Sequence, residues 1–129
     1  MATFTLFVTQ SPFITHSHWQ AMDFARAAHA AGHKIQRVFF YRDAVLCAND
    51  RQTPIQGQPP VHQMWNELAS ELGFPLQVCI ANSIRRGLLD QAENDRYEHA
   101  GATLAAGFNL SGLGDMAEAM NDSDRIIEF

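Results

Sequence analysis

In "PLQVCIANSIRRG", residues Pro75 to Gly87, an apolar and β-prone run ends on a cysteine and opens into a polar, then basic, segment. Cys79 is the residue with the widest chemistry in this stretch. The thiolate is the nucleophile and the thiol is not, so the question is whether the surroundings favour a negative sulfur. Cys79 stands near the carboxyl end of a strand, Asn82 and Ser83 are residue types that cap a helix start, and Arg85 and Arg86 add positive charge. Free N–H groups at a helix start and neighbouring arginines both stabilise a thiolate. The opposing reading is as physical. Free cysteine is among the most buried residue types, and one cysteine in an apolar strand is ordinary core. The residues by themselves leave Cys79 open between core thiol and nucleophile.

The other reactive types are weaker. Cys47, in "AVLCAND", follows an apolar pair with no basic neighbour and reads as packing or as an incidental surface thiol. The two cysteines make neither a CxxC pair nor a disulfide framework, which fits two free thiols in a reducing cytoplasm. A thiol-disulfide oxidoreductase would need Cys47 and Cys79 to meet in space. His16 and His18 form an H-x-H without further ligands at useful spacing, and His29, His33, His62 and His99 are scattered singly, so no metal site is expected. "LSGLGD" (Leu110 to Asp115) precedes a helix and could cradle an anion, but it lacks the P-loop lysine and the dinucleotide spacing. Glu93, Asp95, Asp122 and Asp124 lie in polar runs and read as solvated. With no nucleotide motif, an energy-coupled ligase or kinase is disfavoured and no cofactor is expected.

The elements that must position these residues follow from the hydrophobic pattern. The chain has 129 residues, 47% of them hydrophobic and 18% charged. That suits one globular domain over residues 1–129 with a real core. The formal net charge of -5 argues against a broad nucleic-acid footprint. No apolar run is long enough for a membrane span, and "MATFTLFVTQ" reads as a first strand rather than a signal peptide. "TFTLFVT", "HKIQRVFFY" and "FPLQVCIA" are strands one to three. "HWQAMDFARAAHAAG" and "VHQMWNELASELG" are amphipathic helices closed by Gly32 and Gly73. "RDAVLCAND" suits a short helix and "RQTPIQGQPP" an exposed loop. The segment from Asn82 predicts helical pieces broken near Gly87 and Gly107, then a short strand or turn, a helix from about Gly112, and "RIIEF" as the last strand. Alternation of strand and helix implies right-handed crossovers and a small doubly wound α/β fold, its five-stranded sheet mostly parallel with helices on both faces. Phe13, Trp19, Phe39, Phe40 and Trp65 exceed what one small core needs, which predicts an oligomer.

Taken together, "VFFYRDAVLCAN", "VCIANSIRRGLLD" and "GFNLSGLGDMAEAMNDSDRIIEF" make the chain resemble the TusD/DsrE family of sulfur-relay proteins over nearly its whole length. The resemblance implies a DsrE-like α/β fold and a cysteine that carries sulfur as a persulfide, which by motif falls on Cys79. Arg85 and Arg86 would support it, at the sulfur or against an acidic partner, or else form an exposed helix face, and Asn82 and Ser83 would support it or simply cap the helix. The resemblance implies TusB-like and TusC-like subunits in a heterohexamer, a TusA-like donor and a TusE-like acceptor, on the way to 2-thiouridine at the tRNA wobble position. It is similar too to DsrE, which sits with DsrF-like and DsrH-like subunits and a DsrC-like acceptor in sulfur oxidation. A non-catalytic subunit of the same fold, with Cys79 in the core, is the remaining alternative. The C-terminal block leans towards the TusD type. The resemblance carries no role onto Cys47.

Overall fold

The computed structural model describes residues 1–129. The chain runs β1 (Thr3–Val8), α1 (Ser17–Ala30), β2 (Lys34–Phe40), a 3-10 helix (Arg42–Ala48), α2 (Val61–Leu72), β3 (Leu76–Cys79), α3 (Ile80–Ile84), α4 (Gln91–Arg96), β4 (Phe108–Ser111), α5 (Leu113–Asp122) and β5 (Arg125–Glu128). The five strands form one sheet in the order β4-β3-β2-β1-β5, and every pairing is parallel. No helix is long and apolar enough to cross a membrane.

Side chains alternate across a strand, so each strand divides its residues between two faces. Phe4, Leu6 and Val8 of β1, Leu76 and Val78 of β3, and Phe108 and Leu110 of β4 all turn to one face, where α1 and α2 cover a core of 22 buried residues against which the partly buried Phe4 and Leu110 pack. Strand β2 has its apolar residues out of step: Ile35 and Val38 are three apart, and strict alternation would send them to opposite faces. A register shift solves this. Phe4 pairs with Ile35 but Thr5 pairs with Arg37, so Gln36 is bulged out and both Ile35 and Val38 reach the main core.

Alanines 21, 25 and 28 give α1 a low-profile buried face against the sheet. Helix α2 ends at Gly73, whose φ of 78° is left-handed and lets its N–H close on the Ala69 carbonyl at 2.8 Å.

From β1 to β4 each strand is laid beside the last in one direction, and β5 then returns to the far side of β1. Crossovers of one hand therefore place the helix before β5 on the opposite face from α1 and α2. Met116 and Ala119 of α5 do pack there, against Phe39 and Cys79. The second face thus carries one helix and a cluster of four buried residues.

Three expectations shift in detail. The third strand stops at Cys79, and Ile80 and Ala81 already belong to α3. The "RDAVLCA" segment is helical but of the 3-10 kind. Of the five aromatics thought surplus to the core, Phe39, Phe40 and Trp65 are fully buried, while Phe13 is 67% exposed.

Candidate functional site

Cys79 is the last residue of β3 and the N-cap position of α3, with φ −58° and ψ 120°. The chain leaves the sheet there because β3 pairs with β4 only as far as Cys79 opposite Ser111, where β4 itself ends. Alternation from Val78 turns the Cys79 side chain to the thinly covered face. It lies among Phe39, Met116 and Ala119, with Phe7, Tyr41 and Ile126 packed around them. Phe7 stacks on both Phe39 and Tyr41, at 6.2 and 5.7 Å between ring centroids. Cys79 is 2% exposed, so sulfur chemistry there requires movement of its cover, to which α5 contributes Met116 and Ala119.

The residues expected to support Cys79 take other places. Asn82 and Ser83 do not cap α3: the helix begins at Ile80, both lie inside it, and no side chain caps its start. The Asn82 carboxamide oxygen instead accepts the Arg42 backbone N–H at 2.6 Å. Ser83 is buried with its hydroxyl unpartnered.

Arg85 is the C-cap residue of α3 and Arg86 follows it. At 1.5 Å per residue, that is about 9 Å along the helix from Cys79, at the end where cations suit the helix dipole rather than where they would meet the sulfur. Arg86 is committed to structure: its Nε donates to Asp43 Oδ1 at 2.9 Å and its Nη1 to the Asn82 carbonyl at 3.0 Å. Arg85 is exposed and free of ion pairs. The two arginines are therefore distinct, one a brace and one a free surface charge.

Three neighbours of the site escaped the sequence. Tyr41 continues β2 beside Cys79, and the Arg42 guanidinium sits 5.6 Å from the centre of its ring. Arg42 has φ 52°, a left-handed conformation that costs a non-glycine residue about 1 kcal/mol or more. Met116 forms part of the cover. The available signal was the run of strand end, aromatic and paired charges in "FFYRD"; nothing local marked it as adjacent to Cys79.

Cys47 is fully buried in the main core, and burial pushes its thiol well above the usual range. His16 and His18 do not act together. His18 is buried, its Nε2 donating to the Gln10 carbonyl at 2.8 Å and its Nδ1 accepting from Trp65 Nε1 at 3.0 Å. Desolvation is the main cause that holds it neutral, with its pKa lowered to about 4. Both ring nitrogens are engaged, and its role is structural. "LSGLGD" makes the β4–α5 turn, with Gly112 as N-cap and the Asp115 carbonyl accepting from Arg37 Nη1 at 3.1 Å.

Other proteins are similar to this chain in sequence and in fold. A family model described as the DsrE/DsrF-like family matches residues 2–129. Sulfurtransferase TusD of Cronobacter sakazakii is 40% identical over 126 residues, covering 98% of each chain. Sulfurtransferase TusD of Yersinia pestis (strain Pestoides F) is also 40% identical over 126 residues, covering 98% of this chain and 96% of that one. The crystal structure of the ychN protein from E. coli superposes over the whole of both chains with a TM-score of 0.73 at 19% identity, a likeness of fold.

Proposed function

The chain belongs to the DsrE/DsrF-like family, and from that premise we propose that it is a sulfur-relay sulfurtransferase whose carrier is Cys79. The observation that carries the assignment is the position of Cys79 at the carboxyl edge of a parallel sheet, where a strand gives way to a helix and where such folds place their chemistry. Cys47 offers no alternative, being sealed in the main core with a thiol that burial keeps protonated.

The transfer needs a thiolate and an acceptor, and no metal or nucleotide. The Cys79 thiolate attacks the terminal sulfur of a donor persulfide, R–S–SH. A new S–S bond forms at Cys79 and the donor's own S–S bond breaks. The donor leaves as R–S⁻ with the bonding electron pair, and the terminal sulfur keeps its proton. An acceptor thiolate then attacks that terminal sulfur in turn, and the Cys79 thiolate is regenerated.

Family membership implies partners in a sulfur-relay complex. We assign them as TusB-like and TusC-like subunits, with a TusA-like donor and a TusE-like acceptor, feeding 2-thiouridine at the tRNA wobble position. Residues 1–129 act in this reading as one domain. Arg85, exposed and unpaired, is the charge offered to an acidic partner, and exposed Leu113 and Met120 on α5 suit burial against another subunit.

The test is sulfur loading from a persulfide-charged donor, followed by intact-protein mass spectrometry. Wild type is expected to gain one sulfur that a thiol acceptor removes. A Cys79→Ser variant that still gained the sulfur would sink the assignment.

A further inference from the structure

The cation beside the Cys79 site is neither of the arginines that follow it in sequence. We infer that Arg42 is an anion-docking residue for the transfer, holding the negative charge of the persulfide donor at the mouth of the Cys79 site. This rests on the reading of Cys79 as the carrier.

Four observations converge on Arg42. Its guanidinium lies 5.6 Å over the Tyr41 ring, and Tyr41 packs against the cluster that encloses Cys79. A ring face holds a guanidinium in place while leaving its N–H edge free to bind an anion. Its backbone is held left-handed at φ 52°, and strained conformations persist where the surroundings over-determine them, often at working sites. The group that does so is Asn82, three residues beyond Cys79, whose carboxamide oxygen takes the Arg42 N–H at 2.6 Å. Asn82 thus ties the start of the 3-10 helix to the helix that Cys79 begins. Finally, Arg42 is exposed and makes no ion pair. The neighbouring carboxylate, Asp43, is taken by Arg86 at 2.9 Å. The Asp43–Arg86 pair has a second effect: it removes the one adjacent negative charge that would otherwise quench Arg42.

The ligand class is therefore a persulfide donor, R–S–SH, with carboxylate charge on R, bound through charge and planar N–H geometry rather than through an apolar cleft. No cavity in the structure is lined by Cys79 or Arg42, so docking takes place at an open surface.

The experiment follows loading of the full-length chain by glutathione persulfide, an anionic small donor, with mass spectrometry at several donor and salt concentrations. Arg42→Gln is expected to raise KM about fivefold, the size an exposed charge contact supports, with kcat held within about twofold. Wild-type loading should weaken with added salt, and loading of the variant should not. Arg42→Lys, which keeps the charge, should recover most of the loss. Arg42→Gly relieves the left-handed backbone, so it should melt no lower than wild type and yet load as poorly as Arg42→Gln. If Arg42→Gln keeps the wild-type KM and salt dependence, Arg42 does not dock the donor. If Cys79→Ser gains sulfur under the same conditions, the carrier reading itself fails, whatever Arg42 does.

Discussion

The two faces of the sheet are built to different standards, and each holds one cysteine. On the α1–α2 face, Cys47, at 0% exposure, is one of a core of 22 buried residues. On the α5 face, Cys79, at 2%, is one of a cluster of four buried residues. The exposures are nearly equal, yet the thiols are not equivalent. Cys47 is held by two long helices and a continuous core. Cys79 is roofed by α5, of ten residues, whose outer residues Leu113 and Met120 are 56% and 64% exposed. Local opening is easiest where few apolar contacts must part, so the thin face is where opening short of unfolding is expected to uncover a thiol. Burial by itself is a poor guide to reactivity; what matters is how much structure must move to undo it.

The largest effect should separate the two thiols. Cys79→Ser is expected to abolish sulfur uptake, while Cys47→Ala keeps it and loses about 1 kcal/mol of stability. Uptake lost in Cys47→Ala, with its fold intact by circular dichroism, would break the contrast. On the thick face, Trp65→Ala should destabilise by about 3–5 kcal/mol in urea unfolding. It removes a fully buried ring and strands the Nδ1 of His18.

The thick face should also respond to pH. His18 is lowered to about 4 from 6.5 by desolvation, so between those values the unfolded chain binds a proton that the folded chain refuses. Stability from this group is full above pH 6.5, falls as the pH drops towards 4, and changes no further below. The whole loss is roughly 3 kcal/mol. Urea midpoints at stepped pH would show it, and in His18→Gln that slope should flatten. An unchanged slope would mean that other groups set the acid limb.

How much of this contrast could be read from the sequence depends on how far apart the partners lie. The strands and long helices were legible because alternation and three-to-four spacing are local. The strand-end position of Cys79 was legible too. The face it occupies was not obvious: it depends on α5, more than thirty residues onward, and on which way the last crossover runs. Ile80 and Ala81 read as strand because both are apolar and follow a β-prone run. They fold as helix because β4 offers no partner beyond Ser111. Arg85 and Arg86 look interchangeable in "RRG". The contacts of Arg86 with Asp43, 43 residues earlier in the chain, and with the Asn82 carbonyl distinguish them. The H-x-H of His16 and His18 carried no metal reading, but nothing local pointed to Trp65, 47 residues away, as the donor to the His18 Nδ1.

On the thin face, Met116→Ala should act mainly on access. The cavity costs about 2 kcal/mol, and native-state labelling of Cys79 should quicken while Cys47 stays unlabelled until unfolding. Equal acceleration at both thiols would mean the two faces open together, and the comparison would fail.

The smallest effect expected is Asp43→Asn. The Asp43–Arg86 pair is partly exposed, with side-chain exposures of 56% and 29%, and such pairs contribute only about 0.5 kcal/mol in water. Melting should therefore hardly move. The consequence lies in which charges remain. The substitution deletes the carboxylate next to Arg42 and frees Arg86, so positive charge near the Cys79 edge rises by one. If the thin face works by attracting an anionic donor, loading by glutathione persulfide should speed up modestly, by about twofold, and more at low salt than at high salt. A slower rate with unchanged melting would show instead that Asp43 is needed to hold α3 against the 3-10 helix. The rigidity of that brace would then matter more to the thin face than its charge.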